Sequence, residues 1–269
     1  MRIVIAIVAL LVAGCGGSVV ADRDSSATPP YDGPLDASAA VGALECHGKS
    51  PYERGRGIYD DGLATVQESA EAALDNYMRE EGLSFLTPSD GYAAERDQGG
   101  RVLFSYDVGG RTKVSILTAD GVRDWDHHEG WGVRAWAQCD PSEFPPDVTD
   151  DLNIGVWEDD SGRRVSVTRI QSFQGAEHCD WTDITFLLVG PERAADWYVR
   201  DTGREFRALL RTTYGEVEGI PEGATDTGLS RDGRELWIGP GKKAAYLVSA
   251  DDAHDIERWP AAKQPIRCA

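Results

Sequence analysis

Apolar and polar positions alternate along this chain with two distinct periods. Thr65-Val66-Gln67-Glu68 fits a capping box, and behind it Val66, Ala70, Ala73, Leu74, Tyr77 and Met78 recur at helical spacing while Glu68, Glu71, Asp75, Arg79 and Glu80 take the other side. This predicts one amphipathic helix over about 65–81, stopped by Gly82. The period then changes to two. Val102, Phe104, Tyr106 and Val108 alternate with polar neighbours, Gly109-Gly110 supplies a two-residue hairpin loop, and Arg111 to Thr118 returns with Val114 and Ile116. Trp131, Val133, Ala135, Ala137 and Cys139 place a third strand with one face inward. Pro141, Pro145 and Pro146 interrupt the pattern and mark an expected boundary.

The second half reads as strands. Ile154–Glu158 and Arg163–Ile170 flank the turn Asp159-Asp160-Ser161-Gly162. Asp183–Val189 and Trp197–Arg200 follow, and 206–212 fits helix or strand. Glu235–Ile238 and Ala244–Ser249 flank Gly239-Pro240-Gly241, and Ile256–Trp259 closes the series. The expected fold is α+β: a helix packed on an antiparallel sheet over 45–146, then a mostly β unit over 150–269.

The first residues change the picture from a soluble domain to an exported one. After Arg2, an apolar run from Ile3 to Ala13 ends in Gly14-Cys15. It is too short to span a bilayer and has the layout of a secretory signal over 1–14. Cys15 after small residues looks like a bacterial lipobox, in which the Cys carries the lipid (palmitate) and becomes the first mature residue. The expected location is therefore the extracytoplasmic face of the cell membrane, lipid-anchored. Residues 15–44, with Gly16-Gly17-Ser18 and Thr28-Pro29-Pro30, are expected to form a flexible tether with an end-to-end distance on the order of 30 Å.

Five cysteines fit the same compartment. With Cys15 lipidated, Cys46, Cys139, Cys179 and Cys268 remain, an even number that reads as two disulfides. Three pairings exist. Chain order favours Cys46–Cys139 and Cys179–Cys268, each closing a loop of about 90 residues with a model stabilisation of about 4–5 kcal/mol. No Cys-x-x-Cys motif is present, which removes the redox and zinc-knuckle readings.

Charge narrows the partners. Asp and Glu number 46 against 27 Lys and Arg, a formal net charge of -19. That disfavours nucleic acid, anionic lipid and wall polyanions as direct ligands. The densest polar cluster, Asp124-Trp125-Asp126-His127-His128-Glu129, has the ligand types for a divalent cation. Adjacent His residues diverge on a strand, however, and Gly130 ends the run, so a solvated turn is expected. His178 beside Cys179 suggests a Cys-His pair only if Cys179 is a free thiol. Asp159-Asp160 and Asp251-Asp252 fall in turns, where Asp bonds locally. Trp136 points away from the Cys139 face. It is core if the helix covers that side, and a contact for a glycan or protein if not.

Glu177-His178-Cys179-Asp180-Trp181, Thr185-Phe186-Leu187, Tyr198-Val199-Arg200-Asp201, Asp226-Thr227-Gly228, Leu236-Trp237, Ala245-Tyr246 and Glu257-Arg258-Trp259-Pro260 occur in this order. In these pieces the second half resembles a family of actinobacterial lipoprotein and secreted domains that carry no assigned activity. The resemblance implies a shared fold and location and no catalytic residue. No G-x-S-x-G, H-E-x-x-H, Walker or EF-hand motif is present. No catalytic, cofactor or metal residue is therefore assigned, and a non-catalytic role in binding or envelope organisation is expected, with an envelope protein or glycan as partner. That role predicts a polar-rimmed aromatic patch. The alternative, an envelope hydrolase acting on glycan or peptide, predicts two carboxyls, or a His and a carboxyl, converging in one cleft.

Overall fold

A computed structural model describes residues 31–48, 51–57, 59, 65–80, 87–191 and 194–267. The fold is mostly β, with three antiparallel sheets among the described residues. The first sheet contains β1 (Glu53–Gly55), β2 (Ala93–Asp97), β3 (Arg101–Val108), β4 (Arg111–Arg123) and β5 (Glu129–Gln138), in the order β1-β5-β4-β3-β2. Gly109 and Gly110, with φ of 58° and 74°, turn β3 into β4. Two positive φ angles in succession suit glycine and match the strand twist.

Helix Ala70–Glu80 covers one face of this sheet, packing Ala70, Leu74 and Tyr77 against Phe104, Ile116, Val133 and Trp136. It starts four residues later than the capping-box reading places it. Ser69 is the cap: its Oγ accepts from Ala72 N at 3.1 Å. Gln67 instead pairs with Trp131 through both backbone groups, at 2.9 and 2.8 Å. Ser is the better N-cap of the two, and the two sheet hydrogen bonds at Gln67 reinforce that choice. Leu74 is buried. Leu74→Ala should cost about 2–5 kcal/mol through lost transfer energy and a residual cavity, read as a lowered urea midpoint at unchanged m-value.

The opposite face is covered by a segment expected to be tether. Leu35, Ala39, Ala40 and Ala43, around the one-turn helix Ala39–Gly42, pack on Leu103, Leu117, Ala135 and Ala137. Tyr31 N donates to Glu95 Oε1 at 2.7 Å, and Arg96 holds the Gly33 carbonyl. The tether reading over 15–44 is thus corrected from Tyr31 onward. A small-residue stripe fits closely on a sheet face that would otherwise expose apolar area to water.

β5 is also not a simple alternating strand. Leu117 pairs with Ala135 but Thr118 pairs with Val133, leaving Arg134 as an extra, exposed residue. Such a bulge reverses the facing of the residues beyond it. Trp131 and Val133 therefore face the helix Ala70–Glu80, while Ala135 and Ala137 face the N-terminal segment, and Trp136 joins the helix-side core. The helix covers Trp136, which is buried, and so removes it as an exposed contact.

The other two sheets come from the second half. One contains β6 (Ile154–Gly155), β8 (Ile170–Gln174), β9 (Ile184–Val189) and β10 (Asp196–Asp201), ordered β10-β9-β8-β6. The other contains β7 (Glu158–Asp159), β11 (Gly215–Val217), β12 (Thr225–Arg231), β13 (Arg234–Ile238), β14 (Ala244–Ser249) and β15 (Ile256–Pro260), ordered β11-β15-β14-β13-β12-β7. Ile170, Leu187 and Tyr198 from the first pack against Leu229, Leu236, Ala245 and Trp259 from the second. Of the strand expected over 163–170, only the start pairs as expected: Arg164 bridges Glu158 and Val165 N donates to the Trp157 carbonyl across a turn that Asp159 closes by binding Ser161 and Arg163. Residues 167–169 are turn, and β8 begins at Ile170. Residues 206–212 form turns, with Leu210 in an isolated bridge to Ala262.

Candidate functional site

A cleft of about 490 Å³ opens between these two sheets, within the usual range for small-molecule sites. One wall is Ser172, Phe173 and Gln174 of β8 with Thr185 of β9 and Arg200 of β10. The facing wall comes from β12 to β15. Arg231 and Arg234 are direct cross-strand partners flanking the turn Asp232-Gly233. Its two residues have φ of 52° and 70°, the positive pair that an Asp-Gly hairpin adopts readily.

Each guanidinium is held differently. Arg234 is the most committed: it donates to Asp255 Oδ2 at 2.8 Å and to the Leu247 carbonyl at 3.3 Å, and lies 3.8 Å from Glu257. Arg200 places Nε 3.4 Å from Glu257 Oε2 and stacks 5.7 Å over the Tyr214 ring. Glu257 also accepts from Trp259 Nε1 at 2.8 Å. Burial and the Glu257 carboxylate push the Tyr214 phenol up, with Arg200 pulling the other way.

Arg231 spans the two sheets. Its Nη1 donates to Ser172 Oγ at 2.5 Å, and its Nε lies 3.2 Å from Asp232, a side chain 78% exposed. Gly155 of β6 pairs with Ser172 and makes this possible, since a Cβ there would overlap both Arg231 Nη1 and Ser172 Oγ. The missing side chain is a notch that seats the guanidinium.

The residues singled out from sequence lie elsewhere. Asp124 is buried and accepts from His128 N at 2.9 Å, with His128 Nδ1 3.4 Å from its Oδ2. Burial works to raise its pKa, but hydrogen bonds from the His128 and Val66 backbone and the His128 ring hold it below the usual carboxylate range. Arg123 pairs with Glu129, and Trp125 is 63% exposed at the turn. These contacts are those of a closed turn. Asp159 is held well below the usual range by Ser161 and then Arg163, and Asp252 accepts from His254 N. His178 is exposed in a 3-10 turn, next to a Cys179 that is disulfide-bonded. His127, His128 and His178 do not line the cleft. Among the described residues the exposed large hydrophobics are Trp125 and Leu209.

Cys46 and Cys139 are joined in a disulfide, with Cα atoms 5.3 Å apart. With Glu143 they form the single cluster of metal-ligand types among the described residues, but both sulfurs are committed to each other. Cys15 and Cys268 lie outside the described residues.

The cleft was missed in the sequence because its parts are far apart. Ser172 and Arg231 are separated by 59 positions. The available signal was local: an Asp-Gly turn with arginine on both sides, in a chain where acids outnumber bases 46 to 27. Comparison with known proteins finds no matching family model, curated protein or solved structure.

Proposed function

We propose that this chain is a lipoprotein anchored through Cys15 on the extracytoplasmic face of a bacterial membrane, where it binds a ligand without chemically altering it. The second half is grouped with the actinobacterial lipoprotein and secreted domains that it resembles. Cys179 and Cys268 form the second disulfide. The observation that carries the binding reading is the inter-sheet cleft, whose polar lining includes three guanidiniums tied to carboxylates and a hydroxyl. Such groups recognise and orient a ligand. Glu257, the carboxylate buried deepest there, has its oxygens engaged by Arg200, Arg234 and Trp259 and is poorly placed to shuttle a proton. Among the described residues no helix is long and apolar enough to cross a membrane, and the anchor reading rests on the lipobox.

Two measurements test this. Fractionation of cells making Cys15→Ser should find the protein released from membranes or retained as uncleaved precursor, and detergent-dependent membrane association identical to the natural chain would refute the anchor. For binding, envelope extract should shift amide resonances of the cleft walls in labelled protein. Shifts confined to other surfaces would refute the cleft as the site.

A further inference from the structure

We propose that the cleft binds a small monocarboxylate with an apolar body, the carboxylate being taken by Arg231. This deepens the reading of the cleft as the binding site and rests on it. Four observations lead there.

Arg231 and Arg234 are directly opposite each other on paired strands. Like charges in that position destabilise a sheet, in a chain that has few basic residues to spend. Arg231 is nevertheless preorganised, because Ser172 Oγ orients it and the bare Cα of Gly155 leaves room for its head. A guanidinium carries five donors in a planar fork. Arg231 gives one to a neutral hydroxyl and meets a carboxylate only at the solvent-exposed Asp232. It is the cation in the cleft whose charge is least neutralised, and a ligand carboxylate meets the remaining edge of the fork.

Charge sets the valence. Arg200, Arg231 and Arg234 are matched by Asp150, Asp232 and Glu257 on the lining, and the whole chain is strongly acidic. One anionic group is therefore attracted to the open guanidinium edge, while a polyanion is repelled by the carboxylates around it and by the field of the molecule. The walls set the body. Leu247, Trp157 and Trp259 also line the cleft, so the ligand presents an apolar portion beside its charge.

The test uses the detergent-solubilised full chain and calorimetry with N-acetyl-L-phenylalanine, N-acetyl-L-leucine and N-acetyl-D-alanine, each beside its amide, and with inorganic phosphate. At least one acid should bind saturably, at least tenfold more tightly than its amide, and phosphate should not compete at equal concentration. Arg231→Gln and Gly155→Ala should each weaken that acid at least tenfold, with Arg231→Lys between. If Arg231→Gln does not fold by circular dichroism, Ser172→Ala, which releases the same head, supplies the comparison. Equal affinity for acid and amide, no saturable binding of any acid, tighter binding of phosphate, or affinity indifferent to these substitutions would overturn the proposal. Cleft resonances that still shift with envelope extract would then leave the general binding reading standing with a different ligand class.

Discussion

Replacing Lys113 with methionine should destabilise the protein by about 3–5 kcal/mol, the usual cost of leaving one charge of a buried pair unmatched. Lys113 is 2% exposed, and its Nζ donates to Glu143 Oε2 and to the Glu45 carbonyl, both at 2.7 Å. Glu143 also accepts from His47 N at 2.9 Å. The pair therefore pins the 45–48 segment to β4 from beneath. A double variant, Lys113→Met with Glu143→Leu, should recover much of the loss, because no orphan charge remains. Urea unfolding of the two singles and the double measures this, and a double as unstable as the sum of the singles would refute it.

The same pair gives a pH signature. Burial acts to raise Glu143's pKa, but Lys113 and the His47 and Gly48 N–H groups outweigh it and hold the carboxyl below its ordinary value. A carboxylate whose pKa falls on folding contributes stability that is present above its unfolded pKa. The contribution is lost as pH falls through the ordinary Glu range toward the folded value. The stability gap between the natural chain and Glu143→Gln should accordingly be widest near neutrality and narrow as the solution is acidified. A gap independent of pH down to about pH 3 would show that the charge is not what stabilises.

Loss of the Cys46–Cys139 disulfide is the second large effect expected. The bond closes a loop with a sequence separation of 93, for which chain entropy in the unfolded state gives about 4–5 kcal/mol. Replacing both cysteines with serine should remove about 2–5 kcal/mol, since strain and residual unfolded structure commonly reduce the model figure. The loss should appear first near residues 31–48. That segment is tied to the sheet at its end by the disulfide and by the Glu45 N to Thr112 carbonyl bond. Hydrogen exchange read residue by residue should show Ala39, Ala40 and Ala43 losing protection before β3 and β4. Uniform loss across the sheet would mean that the segment does not open on its own.

Local pattern was enough for those elements whose geometry is dictated by near neighbours. The β3–β4 hairpin followed from alternation and the Gly109-Gly110 pair, because a two-residue turn and a period of two admit few other arrangements. The helix after Ser69 followed from its apolar stripe, and β14 and β15 from short apolar runs between turn residues. Each depends on contacts a few positions apart. Tertiary structure decided the rest. The choice of Ser69 over Thr65 as the helix cap was reinforced by the pairing of Gln67 with Trp131, far along the chain. The side on which Trp131 and Val133 lie depended on one unpaired residue, Arg134, which the alternation of β5 does not reveal. The packing of Leu35 and Ala39 depended on a second bare face of the same sheet, although their composition alone suits a tether. The cleft is the extreme case. Gly155, Ser172 and Arg231 each have an ordinary local role, a small strand residue, a hydroxyl and a charge beside a turn. Only the apposition of two sheets, driven by burial of the apolar side chains between them, brings the three together into a seated guanidinium.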